Sequence, residues 1–297
     1  MVFFIVLMSL VSIVFSAGHN GSRALVTLAI GDRYRDMFER HCRSNWSAYA
    51  ERHGCDLIVI DTPIDRTERA FARSLHWQKC LILEHEQVEN YRQVAWVDGD
   101  IVINPSAPSI FDNVDDTKIG AVDEFGSPDP ATYRRSLASL YLRFQRTGVP
   151  FVRNLTPEEF YRNRGLPEHR EVVQTGVLVC SPQYHREVLR KVYECYEENA
   201  MAASNAEMAA LSHEILSRNL ITWIDPRFNY QVLIGAEQNR IENVTTLRTF
   251  RDPAAVGSII PILKQLLDRA YFLHFAGCQA LMSYLEWPSS QSDLSVP

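Results

Sequence analysis

The sequence contains no glycine-rich phosphate loop of the G-x-G-x-x-G or Walker form. If it binds a diphosphate, a metal ion must therefore supply most of the neutralisation that backbone N–H groups provide in such loops. Its six cysteines, Cys42, Cys55, Cys80, Cys180, Cys195 and Cys278, include no C-x-x-C pair. That argues against a zinc site and leaves disulfide pairing unassigned. No run of Lys or Arg occurs and the net charge is −6, so neither a local nor a global attraction to nucleic acid is present. No internal repeat or low-complexity linker interrupts the chain. Nor is there a hydrophobic run of comfortable bilayer length, which needs roughly 20 residues. The nearest to one is Met1 to Ser16, almost all Val, Phe, Ile, Leu and Met but without a basic flank. Residues 1–22 therefore read as a signal peptide or signal-anchor, which predicts a secretory-pathway or membrane-associated protein; a buried first strand is the alternative. Four N-x-[ST] triplets, at Asn20, Asn45, Asn154 and Asn243, fit a glycosylated lumenal protein.

What the chain does have is the composition of a globular protein, with 297 residues, 46% hydrophobic and 22% charged, enough to bury a full core. Its most informative stretch is Val94-Ala-Trp-Val97-Asp98-Gly99-Asp100-Ile-Val-Ile103, an apolar strand ending on two carboxylates separated by one glycine. Three readings compete there. Two carboxylates offer hard oxygen ligands to Mg²⁺ or Mn²⁺, with a glycine that lets a ligand approach the backbone. Asp-Gly between apolar runs is also a hairpin-turn signal that needs no metal. The third reading is the D-x-D-x-[TV] strand end of aspartate-nucleophile phosphatases.

The flanking pattern predicts alternating strands and helices. Strands are expected at 24–30, 56–60, 94–97, 119–122, 172–180 and 221–224. A helix is expected with Phe38, Cys42, Trp46 and Tyr49 on one face and Gly54 as its stop. A second, opened by an Asp65/Glu68 capping box, would run through residue 83. Asp129-Pro130 and the Thr156-Pro-Glu-Glu159 box open two more inside a predicted insertion at 126–170. Such a strand–helix alternation places ligands at the carboxyl ends of the strands. Asp98 and Asp100 lie at one such end, and Asp32 and Tyr34 follow another, unless Asp32 is a helix cap.

In this order the motifs resemble the GT-A glycosyltransferases, particularly the glycogenin-like retaining enzymes and related α-galactosyl and xylosyl transferases. They are Ala29-Ile-Gly-Asp32-Arg-Tyr34, Trp77-Gln-Lys79, Val97-Asp-Gly-Asp100, Gln174-Thr-Gly176, Pro226-Arg-Phe-Asn-Tyr230 and His274-Phe-Ala-Gly277. The resemblance implies an α/β GT-A fold, a Rossmann-like mixed sheet flanked by helices, over residues 23–280, with a tail at 281–297. It implies that Asp98, Asp100 and His274 hold Mn²⁺ or Mg²⁺ against the diphosphate of a nucleotide sugar, a UDP sugar by analogy. Tyr34 and Asp32 would meet the base. Lys79, Gly99, Asp123, Gly176 and Gly277 would sit about the diphosphate and donor sugar, with a solvated helix face as the alternative for Lys79. Gln174, Glu124 and Glu207 are the candidates nearest the reacting carbon, although Ser204-Asn-Ala-Glu207 is also a capping box that would occupy Glu207. The acceptor would be a hydroxyl of a glycan, protein or lipid, and configuration would be retained.

Two departures from the family pattern stand out. Gln174 occupies the usual Asn position. The lysine that usually follows the family's histidine is missing after Gly277, leaving Arg227 or Lys264 as substitutes. An inactive nucleotide- or sugar-binding module of the same fold is the remaining alternative.

Overall fold

The computed structural model describes residues 22–127, 129–146, 148, 154–197, 207–238 and 256–285. The chain alternates β1 (Arg23–Leu28), α1 (Asp32–His41), α2 (Arg43–His53), β2 (Asp56–Ile60), α3 (Glu68–Phe71), a 3₁₀ segment Leu75–Glu84 and β3 (Gln93–Val97). It continues through β4 (Ile101–Ile103), β5 (Ile119–Asp123), α4 (Pro130–Arg146), α5 (Pro157–Arg162), β6 (Val173–Cys180), α6 (Pro182–Cys195) and α7 (Met208–Ser217). The last described elements are β7 (Ile221–Trp223), a 3₁₀ turn Pro226–Asn229, β8 (Tyr230–Gln231), α8 (Val232–Gln238), α9 (Val256–Arg269), β9 (Phe272–His274) and a 3₁₀ turn Gln279–Tyr284.

Six strands form one sheet in the order β2-β1-β3-β6-β5-β7. β1 runs parallel to both β2 and β3, whereas β6 is antiparallel to β3 and β5. The sheet is therefore mixed, as expected. Alternation along its strands sends Leu25, Ala95, Val97, Val177 and Val179 into one core and Ala24, Val26, Val94, Trp96 and Leu178 into the other. Both faces are buried, which is why these strands read as unbroken apolar runs.

A second sheet, β4-β9-β8, is small but decides where the site lies. Ile101 pairs with His274 across the antiparallel β4/β9 ladder, and Gln231 pairs with His274 across the parallel β8/β9 ladder. β3 and β4 do not pair with each other: they belong to different sheets, so Asp98-Gly99 is a crossing between sheets and the hairpin reading falls.

Two helix expectations need correction. The first predicted helix is split at Cys42, which caps α1 and begins α2; Gly54, at φ 61°, ends it as expected in a conformation glycine adopts freely. The Asp65 box does not open a long helix. Asp65 instead accepts from the Thr67 backbone and hydroxyl, α3 lasts one turn, and Ser74 restarts the chain as a 3₁₀ segment whose residues Trp77 to Leu83 are all buried. Enclosure on every side explains the missing helical periodicity there. The helices at Pro130 and Pro157 form as expected, with Asp129 and Thr156 accepting from Thr132 and Glu159 backbone N–H groups.

The secretory or membrane placement expected from the apolar N-terminus is also corrected: no helix among the described residues is long and apolar enough to cross a membrane, and residues 1–21 lie outside the described residues. Of the four glycosylation triplets, Asn20 and Asn243 lie outside the described residues too. Asn45 and Asn154 are buried. Asn45 bonds both polar groups of Ile103 at 2.7 Å, tying α2 to β4, and Asn154 accepts from Asn163 at 3.0 Å. A glycan on Asn45 would occupy the nitrogen that donates to Ile103, and one on Asn154 would have to leave a buried position. All six cysteines are free thiols.

Candidate metal and diphosphate site

Asp98 and Asp100 lie where β3 leaves the large sheet and β4 enters the small one. The Asp98 backbone N–H donates to the Gly176 carbonyl at 2.8 Å, and the Phe275 N–H donates to the Asp100 carbonyl at 3.0 Å, so both sheets fix the turn. Each carboxylate has one oxygen held by protein donors. Asp98 Oδ1 accepts from Trp96 Nε1 at 2.9 Å and pairs with Lys79 Nζ at 3.1 Å. Asp100 Oδ2 accepts from Gln279 Nε2 at 3.0 Å. The other oxygens face His274 Nε2, at 3.8 Å from Asp98 Oδ2 and 3.2 Å from Asp100 Oδ1.

Gly176 is required by this packing, since a Cβ built on it would lie 2.6 Å from His274 Cε1. Burial pushes the Asp100 carboxyl up and the His274 imidazole down, but their mutual attraction outweighs burial and shifts each the other way. Three ligand atoms within 4.8 Å of one another, two carboxylate oxygens and one imidazole nitrogen, could hold a metal ion. The carboxylate oxygens and the imidazole nitrogen together suit a divalent cation.

The pair opens onto a cavity of about 230 Å³ lined also by Tyr34, Met37, Phe38, Leu75 and Lys79. One end is therefore charged and the rest largely apolar and aromatic, the arrangement expected where a planar, charged ligand is held. Lys79 is not on a solvated face: it is 2% exposed and bonds the Thr175 carbonyl, Asp98 and, at 2.8 Å, Glu207. Burial pulls its ammonium down, and the carboxylates of Asp98 and Glu207 more than reverse that.

Among solved structures the chain is similar to a glycosyltransferase involved in glycosylation of the major capsid of PBCV-1. That match has a TM-score of 0.52 and 14% identity, covering 89% of this chain and 100% of the other. The fold is that of a GT-A glycosyltransferase. Looser matches include the galactosyltransferase LgtC in complex with donor and acceptor sugar analogs (TM-score 0.42, 12% identity, 86% and 87% coverage) and the glycosyltransferase GlyE of Streptococcus pneumoniae TIGR4 (0.41, 14%, 93% and 57%). No protein-family model and no curated protein matches the sequence.

Within this GT-A fold, the expected residues divide into groups. Tyr34, Lys79, Asp98, Gly99 and Asp100 line the cavity, and His274 stands behind the two aspartates. Asp123, Glu124 and Gln174 line a separate recess of about 20 Å³, room for about one water. Asp32 neither caps α1 nor faces the cavity: Gly31 holds the cap position, and Asp32 is an exposed partner of Arg35. Glu207 has the position before α7, but its carboxylate is turned inward to Lys79 and Thr175 and makes no cap. Ser204, the other half of that expected box, lies outside the described residues. Gly277 makes a left-handed turn (φ 71°) after β9 rather than lining the cavity.

The proposed substitutes for the missing lysine do not reach the cavity. Arg227 is committed to Asp225 and stacks on Tyr271, and Lys264 is exposed on α9. Gln279, which sequence reading missed, lies two residues beyond Gly277 and reaches Asp100 instead. The phosphatase reading finds no support: Asp115-Asp116, the next acidic pair in the sequence, follows Asp100 too soon to be that reading's distant metal-binding pair, and it lies at the other end of β3. Asp116 pairs with Arg92, just before β3 begins, while Asp98 follows the strand's end.

Glu124 accepts from the Tyr133 hydroxyl at 2.6 Å and from Gln231 at 2.7 Å. Burial outweighs both bonds and pushes its carboxyl from 4.5 to about 7. The folded state therefore keeps a proton that the unfolded state releases, so stability falls as pH rises between 4.5 and about 7. Glu124→Gln is expected to flatten that slope. Urea unfolding at the two ends of the window should find the wild type losing about 1–3 kcal/mol more than the variant across it; equal losses would mean Glu124 titrates normally.

Proposed function

We propose that this protein is a metal-dependent glycosyltransferase that moves a hexose or pentose from a UDP sugar to an acceptor hydroxyl with retention. The observation that carries the reading is the convergence of Asp98, Asp100 and His274 at the charged end of a cavity with an aromatic wall, on a GT-A fold. A divalent cation bound there would supply charge stabilisation to the departing diphosphate. In this reading Tyr34 packs against the base. Lys79 contributes positive charge at the cavity floor while holding Glu207 in place behind it. Asp123, Glu124 and Gln174 lie on the donor-sugar side, and the 126–170 segment shapes the acceptor side. The acceptor attacks on the face that the nucleotide leaves and passes its proton to a diphosphate oxygen, so no separate enzymatic base is required.

Calorimetry with UDP, with and without Mn²⁺, tests this reading on the wild-type protein. Binding that depends on Mn²⁺ is expected and would justify screening UDP sugars for hydrolysis and transfer. Failure to bind UDP in either condition would remove the nucleotide-sugar reading.

A further inference from the structure

The far side of the His274 ring is tied to two buried amides. Nδ1 lies 2.7 Å from Asn229 Oδ1, and Asn229 Nδ2 donates to Gln174 Oε1 at 2.6 Å. Gln174 Oε1 also accepts from the Gly176 backbone N–H. Amide oxygens and nitrogens can exchange places by a half-turn, and imidazole has two neutral tautomers, so such a chain needs one group of fixed polarity to define it. The Gly176 N–H can only donate. It therefore requires oxygen from Gln174, that oxygen requires NH₂ from Asn229, and the remaining Asn229 oxygen requires a hydrogen on His274 Nδ1.

The opposite edge of the ring pulls the other way. Asp100 Oδ1 and Asp98 Oδ2 both face Nε2 and by themselves would favour a hydrogen there, where a cation would have to bind. We propose that the Gly176 main-chain N–H, acting through Gln174 and Asn229, holds neutral His274 in the Nδ1–H form and so presents the Nε2 lone pair between Asp98 and Asp100. Asn229 and Gln174 are then positioning residues for the cation. The cation half of this inference rests on the metal site of the proposed function; the tautomer half does not. Outer-shell partners of this kind change metal affinity by fixing the tautomer and aim of the ligand ring.

The test uses the full chain labelled with ¹⁵N-histidine, free of metal, at alkaline pH where the ring is neutral. Two-bond ¹H–¹⁵N spectra report the tautomer directly, and calorimetry with Mn²⁺ alone reports affinity. Wild-type His274 is expected as Nδ1–H. Asn229→Ala is expected to shift it toward Nε2–H and to weaken Mn²⁺ binding by roughly 10–100-fold. Gln174→Glu, which keeps the accepting oxygen, should preserve the tautomer. A wild-type ring in the Nε2–H form overturns the proposal, whatever the variants do, and so does an Asn229→Ala protein with unchanged tautomer and unchanged Mn²⁺ affinity. A wild type that holds the Nδ1–H form but takes up no Mn²⁺ leaves the relay standing and removes the metal site on which the proposed function depends.

Discussion

Asp100→Ala is expected to abolish Mn²⁺-dependent UDP binding, with a loss of affinity greater than about 100-fold. Removal of outer-shell contacts alone typically costs roughly 10–100-fold, and Asp100 would be a direct ligand. Its Oδ1 is 3.2 Å from His274 Nε2, its other oxygen is held by Gln279, and among the described residues no carboxylate besides Asp98 joins the cluster to replace it. The fold should survive, because the Asp100 contact that extends the β4/β9 ladder is made by its main-chain carbonyl, which accepts from Phe275 N–H. Thermal unfolding separates the two effects. Wild-type protein should be stabilised by Mn²⁺, by about 2.7 kcal/mol at a concentration near 100 times the dissociation constant. The variant should unfold cooperatively with no response to Mn²⁺. A variant that keeps Mn²⁺-dependent UDP binding would show that the cation, if present, is held elsewhere.

The second large effect belongs to Lys79. Its ammonium is enclosed and shared by Asp98 at 3.1 Å and Glu207 at 2.8 Å, and Glu207 is itself 3% exposed. Lys79→Met fills a similar volume but leaves a carboxylate buried without its counter-charge. Breaking a buried pair in this way costs roughly 3–5 kcal/mol, so urea unfolding should detect a loss of that size at neutral pH. Pairing Lys79→Met with Glu207→Gln should restore part of it, since the stranded charge is then gone. A loss below about 1 kcal/mol in the single variant would mean that the network is solvated and contributes no more than a surface pair does.

The sign with pH is also defined. The carboxylates hold the folded-state ammonium above its ordinary value of 10.5. Its stabilising contribution is therefore fully present below that value and lost as pH rises through the higher folded value. A steeper alkaline loss is therefore expected in the wild type than in Lys79→Met, so that the stability gap between them narrows as pH rises; a gap that stays constant would mean that Lys79 contributes nothing that titrates there.

Much of this arrangement was legible before any coordinates. β2 begins and ends where the Asp56-Leu-Ile-Val-Ile60 run does, and β6 differs from the expected strand by one residue, because strands buried on both faces leave continuous apolar runs with polar ends. The 75–84 segment escapes a pattern-based reading because seven consecutive buried residues, Trp77 to Leu83, leave no solvent face to mark a period. Glu207 was misread for a different reason: the capping box is a local pattern, whereas its carboxylate is taken by Lys79 and Thr175, distant in sequence.

Local order along the chain determined the strand ends, the helix starts at Pro130 and Pro157, the pair Asp98 and Asp100, and the GT-A resemblance that singled out His274. These follow from side-chain alternation, capping and fixed short spacing, all of which act within a few residues. Only the tertiary structure decided that Asp98-Gly99-Asp100 joins two sheets instead of turning a hairpin, that Lys79 is buried against Glu207, and that Gln279 and Asn229 serve the cluster. Each of those depends on the β4/β9 and β3/β6 pairings, which bring together residues from about 80 to more than 170 positions apart. The physical reason is that non-local strand pairing is fixed by how two whole faces pack, and no short window of sequence carries that information.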